Sequence, residues 1–158
     1  MAACPWISDN LRTGTPTVTA EPPRTIIIDT GPLIGVMYAD DAYHEDASRG
    51  FGQLFTGHTQ VILPVPILFE VYKRLAYDVG PALAHQAFEF MRASFTLWYI
   101  ESDELARLHE LILLMGWWGG SLEDAVLAMS GLARDVPVWT YNYRDLRAFP
   151  NLQFWTPA

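Results

Sequence analysis

Four carboxylates occupy comparable places along this chain. Asp29 directly follows Ile26-Ile27-Ile28, Glu70 lies shortly after Pro64 and Pro66, Asp124 is third after Ser121, and Asp145 closely follows Val136 to Thr140. Acids gathered without bases between them repel one another strongly. The chemistry that uses such a cluster is oxygen coordination of a hard cation, Mg²⁺ or Mn²⁺, which keeps waters for a phosphate to displace. Two such ions about 4 Å apart can activate a water and stabilise the attacking and leaving oxygens of phosphodiester cleavage. Arg144, Arg147, Lys73 and Arg74 are the bases best placed to meet phosphates beside these acids.

Each acid also has a structural reading. Asp29 can bond the amides of the turn that follows it, and Glu70 can pair with Lys73 or Arg74 one turn on. Asp124 after Ser121 and Asp145 after Asn142 have the spacing of a capping box. Neither reading excludes the other, because a carboxylate at a helix start can also hold a metal. Convergence of all four is what favours chemistry, and that depends on the elements that carry them.

Thr25–Ile28 has three β-branched residues in a row with no alternation, which suits a strand covered on both faces in the middle of a parallel sheet. Gly31 and Pro32 stop it, and Thr30 is expected to cap a short helix from Pro32 to Tyr38. A charged loop over 40–46 leads to a second helical stretch ending near Phe55. Gln60–Leu63 reads as a strand, followed by a helix from Ile67 to about Tyr77 with Ile67, Val71 and Leu75 on one stripe. Gly80 and Pro81 separate this helix from another over 82–93. Phe95–Ile100 reads as a doubly covered strand, and Ser102 is expected to cap a helix ending at Met115. Leu122–Ala133 is apolar nearly all round. Val136–Thr140 and Leu152–Trp155 are the last strands, with at most one helical turn over 144–148. Alternating strand and helix implies an α/β fold with a parallel sheet and helices on both faces. In such a sheet the strand ends and the starts of the following helices share one edge, so the four acids can meet there.

The chain has 158 residues, half of them apolar, enough for one well-buried domain. Residues 1–24 hold four prolines and no period, so they read as an extended or disordered arm, leaving 25–158 as the domain. No apolar run approaches a bilayer span and no basic segment precedes an apolar core, so a soluble, non-exported protein is expected. Cys4 is the only cysteine, which excludes an intramolecular disulfide and a cysteine zinc cluster and agrees with a cytoplasmic location. The net charge is −8, with 18 acids against 10 bases and Lys73 the only lysine. That balance argues against tight nucleic-acid binding by phosphate neutralisation alone. His44 sits in the charged loop, which reads as solvated, and Trp117 and Trp118 read as covering the core or a subunit interface.

In order and spacing, Ile-Ile-Ile-Asp29-Thr30-Gly-Pro-Leu, Pro-Val-Pro-Ile-Leu-Phe-Glu70-Val, Ser-Leu-Glu-Asp124-Ala-Val-Leu-Ala and Val-Trp-Thr140-Tyr-Asn142-Tyr-Arg-Asp145-Leu resemble the four motifs of PIN domain ribonucleases of the VapC toxin type. The resemblance runs from about Thr25 to Trp155. It implies a three-layer fold with strand order 3-2-1-4-5, an acidic pocket for Mg²⁺ or Mn²⁺, and hydrolytic cleavage of RNA. Asp29, Glu70, Asp124 and Asp145 would be the metal-binding and catalytic acids. Thr30, Asn142 and Arg144 would stand near metal and phosphate. It further implies a homodimer and a cognate antitoxin that inserts into the groove. Asn142 stands where many relatives carry another Asp.

Two other functions have less support in the sequence. One is a PIN-fold binding module that holds RNA or a protein without cleaving it. The other is a phosphotransferase with Asp29 as nucleophile, which would normally show a second Asp where Gly31 stands.

Overall fold

The computed structural model describes residues 14–116 and 118–158. Residues 1–13 of the expected arm, and Trp117, lie outside the described residues. The elements are β1 (Thr17–Thr19), β2 (Thr25–Ile28), α1 (Thr30–Met37), α2 (His44–Thr56), β3 (Gln60–Pro64), α3 (Val65–Asp78), α4 (Pro81–Ser94), β4 (Thr96–Trp98), α5 (Ser102–Leu114), α6 (Leu122–Arg134), β5 (Val138–Trp139), α7 (Tyr143–Leu146) and β6 (Gln153–Trp155).

All neighbouring strands are parallel, in the order β1-β6-β5-β2-β3-β4. The five strands expected from sequence keep their expected order, and β1 extends the sheet beyond β6. Composition sets the arm outside the domain, but Thr17–Thr19 of it pair in register with Gln153–Trp155. Their side chains are exposed, so the strand carries no apolar pattern by which it could be recognised. Backbone pairing to an open sheet edge is what holds it.

The centre of the sheet is where the isoleucine run places it. Ile26, Ile27 and Ile28 are fully buried, β2 pairs with β3 on one side and β5 on the other, and α6 packs against β2 and β5. Residues 124–131 of α6 are all buried, so this helix is nearly enclosed as its composition requires. On α2, Gly50 leaves room for the Trp139 ring, which a side chain at that position would strike. Trp139 in turn lies edge-to-face on Trp155 at 4.9 Å.

Three local expectations are corrected. β4 is an edge strand with Thr96 exposed and Leu97 and Trp98 half-buried, not a doubly covered one. The cap of α5 is Glu101, whose side chain forms a capping box with Glu104, and not Ser102. The cap of α1 is Asp29 rather than Thr30, and that changes the chemistry of the site.

Candidate active site

β2 ends at Ile28, and the next side chain, Asp29, turns back to cap α1: its Oδ1 accepts from the Thr30 backbone N–H at 2.6 Å. Its Oδ2 accepts from the Thr140 hydroxyl, also at 2.6 Å, across 111 residues of sequence. Thr140 follows β5, the parallel neighbour of β2, so the pairing of the two strands brings its hydroxyl to Asp29. The Thr140 oxygen also accepts from the Asn142 backbone N–H at 2.8 Å, which fixes the loop leaving β5.

Glu70 projects from the second turn of α3. The expected partners Lys73 and Arg74 do not hold it; the Thr30 hydroxyl donates to its Oε2 at 2.6 Å. Asp124, at the start of α6, forms the capping box anticipated with Ser121: Oδ2 accepts from the Ser121 N–H at 2.8 Å, and the Ser121 hydroxyl accepts from the Asp124 N–H at 3.1 Å. Its free oxygen, Oδ1, accepts from the Asn142 side-chain amide at 3.0 Å.

These residues line one cavity of about 460 Å³, at the edge of the sheet where β2, β3 and β5 end. Asp29, Thr30, Glu70, Asp124 and Asn142 all contribute to its wall. Asp29 and Asp124 are buried. Burial pushes the Asp29 carboxyl up to about 6, with Asp124 and Glu70 adding to the rise while the bonds from Thr140 and Thr30 oppose it. Arg74 is the one base among the residues lining this cavity.

Asp145 and Arg144 are placed differently from the other expected site residues. Neither is in the cavity wall. They pair with each other, with Arg144 Nε 3.0 Å from Asp145 Oδ1 and the Arg144 side chain 82% exposed. Arg144, and after it the Asn142 amide, hold the Asp145 carboxyl below its ordinary value. Asn142 therefore stands between Asp124 and Asp145, and it lacks the side-chain capping bond that would have made Asp145 a simple helix-start residue.

The donor set suits a hard cation: three carboxylates, a carboxamide and hydroxyls, all through oxygen. Among the described residues, however, no three His, Cys, Asp or Glu side chains are grouped closely enough to hold a metal ion as they stand. Each acid is occupied by its own donor, Thr140 and Thr30 for Asp29, Thr30 for Glu70, and Ser121 and Asn142 for Asp124.

A second wall of the cavity, with no signal in the sequence, comes from a loop. The loop before α2 is solvated as its composition predicts, and from it Asp41 and Tyr43 also line the cavity together with Tyr141. His44 faces the Gly35 carbonyl at 2.8 Å through Nδ1 and is no part of this wall. Trp118 covers the core as expected, lying edge-to-face on Phe149 and donating from Nε1 to the Asp145 carbonyl at 2.9 Å. The signal that could have found Thr140 was present, since it lies in the same motif as Asn142 at the end of a buried strand.

The chain matches no protein-family model and no curated protein sequence. Solved structures do match. VapC20 of Mycobacterium tuberculosis, described as a sarcin-ricin loop cleaving toxin, superposes with a TM-score of 0.66 at 18% identity, covering 75% of this chain and 90% of that one. VapBC2 from Rickettsia felis, solved with a DNA fragment from its promoter, gives 0.62 at 11% identity over 85% and 98% of the two chains. A toxin-antitoxin complex from Klebsiella pneumoniae gives 0.55 at 16% identity, with 80% and 94% covered. At these identities the likeness establishes the fold.

Proposed function

We propose that this chain, which has the fold of the VapC PIN-domain toxins, is a metal-dependent endoribonuclease and the toxin of a toxin-antitoxin pair. The observation that carries the reading is the meeting of Asp29, Glu70 and Asp124 in one cavity at the carboxyl edge of the sheet, on a scaffold shared with an RNA-cleaving toxin. A bound Mg²⁺ or Mn²⁺ would supply an activated water and neutralise charge on the cleaved phosphate.

The chain's own groups have distinct tasks. Asp29, Glu70 and Asp124 offer the cation carboxylate oxygens. Thr140 and the Thr30 N–H orient Asp29, and the Thr30 hydroxyl orients Glu70. Asn142 sets the angle of Asp124 and carries Asp145 as its outer partner. We assign Asp145 to the site through that link, with Arg144 at the rim. Arg74, on the cavity wall, is the base that meets a phosphate. The start of α1 adds backbone N–H groups that favour an anion.

The partners proposed are an RNA substrate, a small antitoxin that occupies the groove, and a second copy of the chain, in the cytoplasm. Support for the antitoxin comes from the toxin-antitoxin neighbours. No helix among the described residues is long and apolar enough to cross a membrane.

The test is cleavage of structured RNAs with and without Mn²⁺ or Mg²⁺. Cleavage that needs the cation and disappears in Asp29→Asn supports the proposal. Undiminished cleavage in Asp29→Asn, or in chelator, contradicts it. Because no three acids among the described residues are grouped closely enough to hold an ion as they stand, the second reading is a module that holds RNA without cutting it, which would bind RNA and show no turnover at any cation concentration.

A further inference from the structure

Tyr43 and Tyr141 stack on each other with ring centroids 4.3 Å apart and planes 16° from parallel, on the wall of the same cavity as the three acids. The inner ring is firmly held. The Tyr141 hydroxyl donates to Asp46 at 2.8 Å, and its ring lies edge-to-face on Trp139 at 6.4 Å. A Cβ added at Gly31 would stand 3.0 Å from Tyr141 Cδ2, so the glycine lets the ring sit against the turn that carries Asp29. Burial and Asp46 raise the Tyr141 phenol, which keeps it neutral and a hydrogen-bond donor. The outer ring, Tyr43, is braced by a bond from its N–H to Asp41 at 2.8 Å but remains 51% exposed.

We infer that Tyr43, backed by Tyr141, is a stacking platform for one nucleobase of a single-stranded RNA segment whose backbone passes the acids; this rests on the ribonuclease reading of the cavity. The charge of the molecule favours such a contact over affinity drawn from phosphates. With a net charge of −8 and Arg74 the one base lining the cavity, phosphate neutralisation gives little affinity and the carboxylates oppose it. A nucleobase is uncharged, stacks on any aromatic face, and gains affinity that does not depend on cations in the wall. A pair of rings already stacked and anchored needs little ordering when a base is added. Recognition by this platform therefore has a shallow salt dependence and selects for an unpaired base at one fixed position relative to the cut.

The experiment measures binding of the whole protein, in EDTA, to labelled single-stranded RNA oligonucleotides carrying an abasic residue at successive positions. One position is expected to weaken binding by about 10- to 100-fold. Tyr43→Ala should weaken the intact RNA by a similar factor and erase the position dependence, while Tyr43→Phe and Tyr43→Trp retain both. The inference is overturned if Tyr43→Ala binds like the parent protein with an unchanged melting temperature, if the abasic effect persists in Tyr43→Ala, or if no oligonucleotide binds. Failure of the two proposals can be told apart. Metal-dependent cleavage without any abasic pattern removes the platform and leaves the ribonuclease, whereas the pattern without cleavage leaves a base-stacking module.

Discussion

The Thr140 hydroxyl donates to Asp29 Oδ2 at 2.6 Å, so the ends of the parallel strands β2 and β5 are joined through the most deeply placed acid of the cavity. Thr140→Val keeps the shape and removes the donor. The carboxylate then loses one of its two bonds, and the Asn142 N–H loses its acceptor. Destabilisation of about 1–3 kcal/mol is expected by denaturant titration at pH 7. The Asp29 pKa should rise further, because Thr140 now opposes the effect of burial. The acid limb of the cleavage profile should therefore move to higher pH.

Asp29 also sets a pH dependence of stability in the metal-free protein. Its pKa rises from 3.8 to about 6 on folding, which corresponds to about 3 kcal/mol against the charged form. Below pH 4 both states are protonated and the cost is absent. Between about pH 4 and pH 6 the folded chain keeps a proton that the unfolded chain has released, so stability falls as pH rises and levels off above that window. Asp29→Asn removes the ionisation. Its melting temperature in chelator should exceed that of the parent by several degrees at pH 7, with the gap closing below pH 4. Equal melting temperatures at pH 7 would contradict the burial of an ionised Asp29.

The four acids should not be equal. Asp29→Asn, Glu70→Gln and Asp124→Asn each alter the cavity wall and are expected to lower the cleavage rate by on the order of 10²–10³. Asp145 acts through Asn142 and is paired with Arg144, so Asp145→Asn should cost about 10- to 100-fold. Rates measured at saturating Mn²⁺ decide the order.

Asn142→Asp would replace the amide that bonds Asp124 with a like charge. The metal-free variant should lose stability at pH 7 and regain it with Mn²⁺, and its Mn²⁺ affinity should exceed that of the parent. Thermal melts across a Mn²⁺ series read both effects.

Much of the fold was legible because buried parallel strands and enclosed helices leave dense apolar runs. Ile26–Ile28 and residues 124–131 are the clearest cases, and both lie where their composition puts them. β1 was not legible, since a three-residue strand held by backbone bonds has no side-chain signature. Within the site, the convergence of Asp29, Glu70 and Asp124 follows from topology, whereas Thr30 and Asn142 were pointed to only by the family resemblance. The pairing of Asp145 with Arg144 does not follow from topology, because neighbouring side chains choose between each other and the cavity by rotamer, which sequence spacing does not encode. The Tyr43 wall was hidden for a similar reason. A loop dense in Asp and Glu reads as solvated, which it is, and only the stacking of Tyr43 on Tyr141 shows that it also lines the cavity.

Calorimetric titration of Mn²⁺ into the full chain at pH 6, repeated in buffers of different ionisation enthalpy, is the most direct test of the cavity as a cation site. Coordination needs the deprotonated carboxylate, and Asp29 is about half protonated at that pH. Binding should release about half a proton per ion, fall to almost none at pH 8, and be lost or greatly weakened in Asp29→Asn. Absence of Mn²⁺ binding, or binding with the same affinity and proton release in Asp29→Asn, would show that these acids do not form the metal centre.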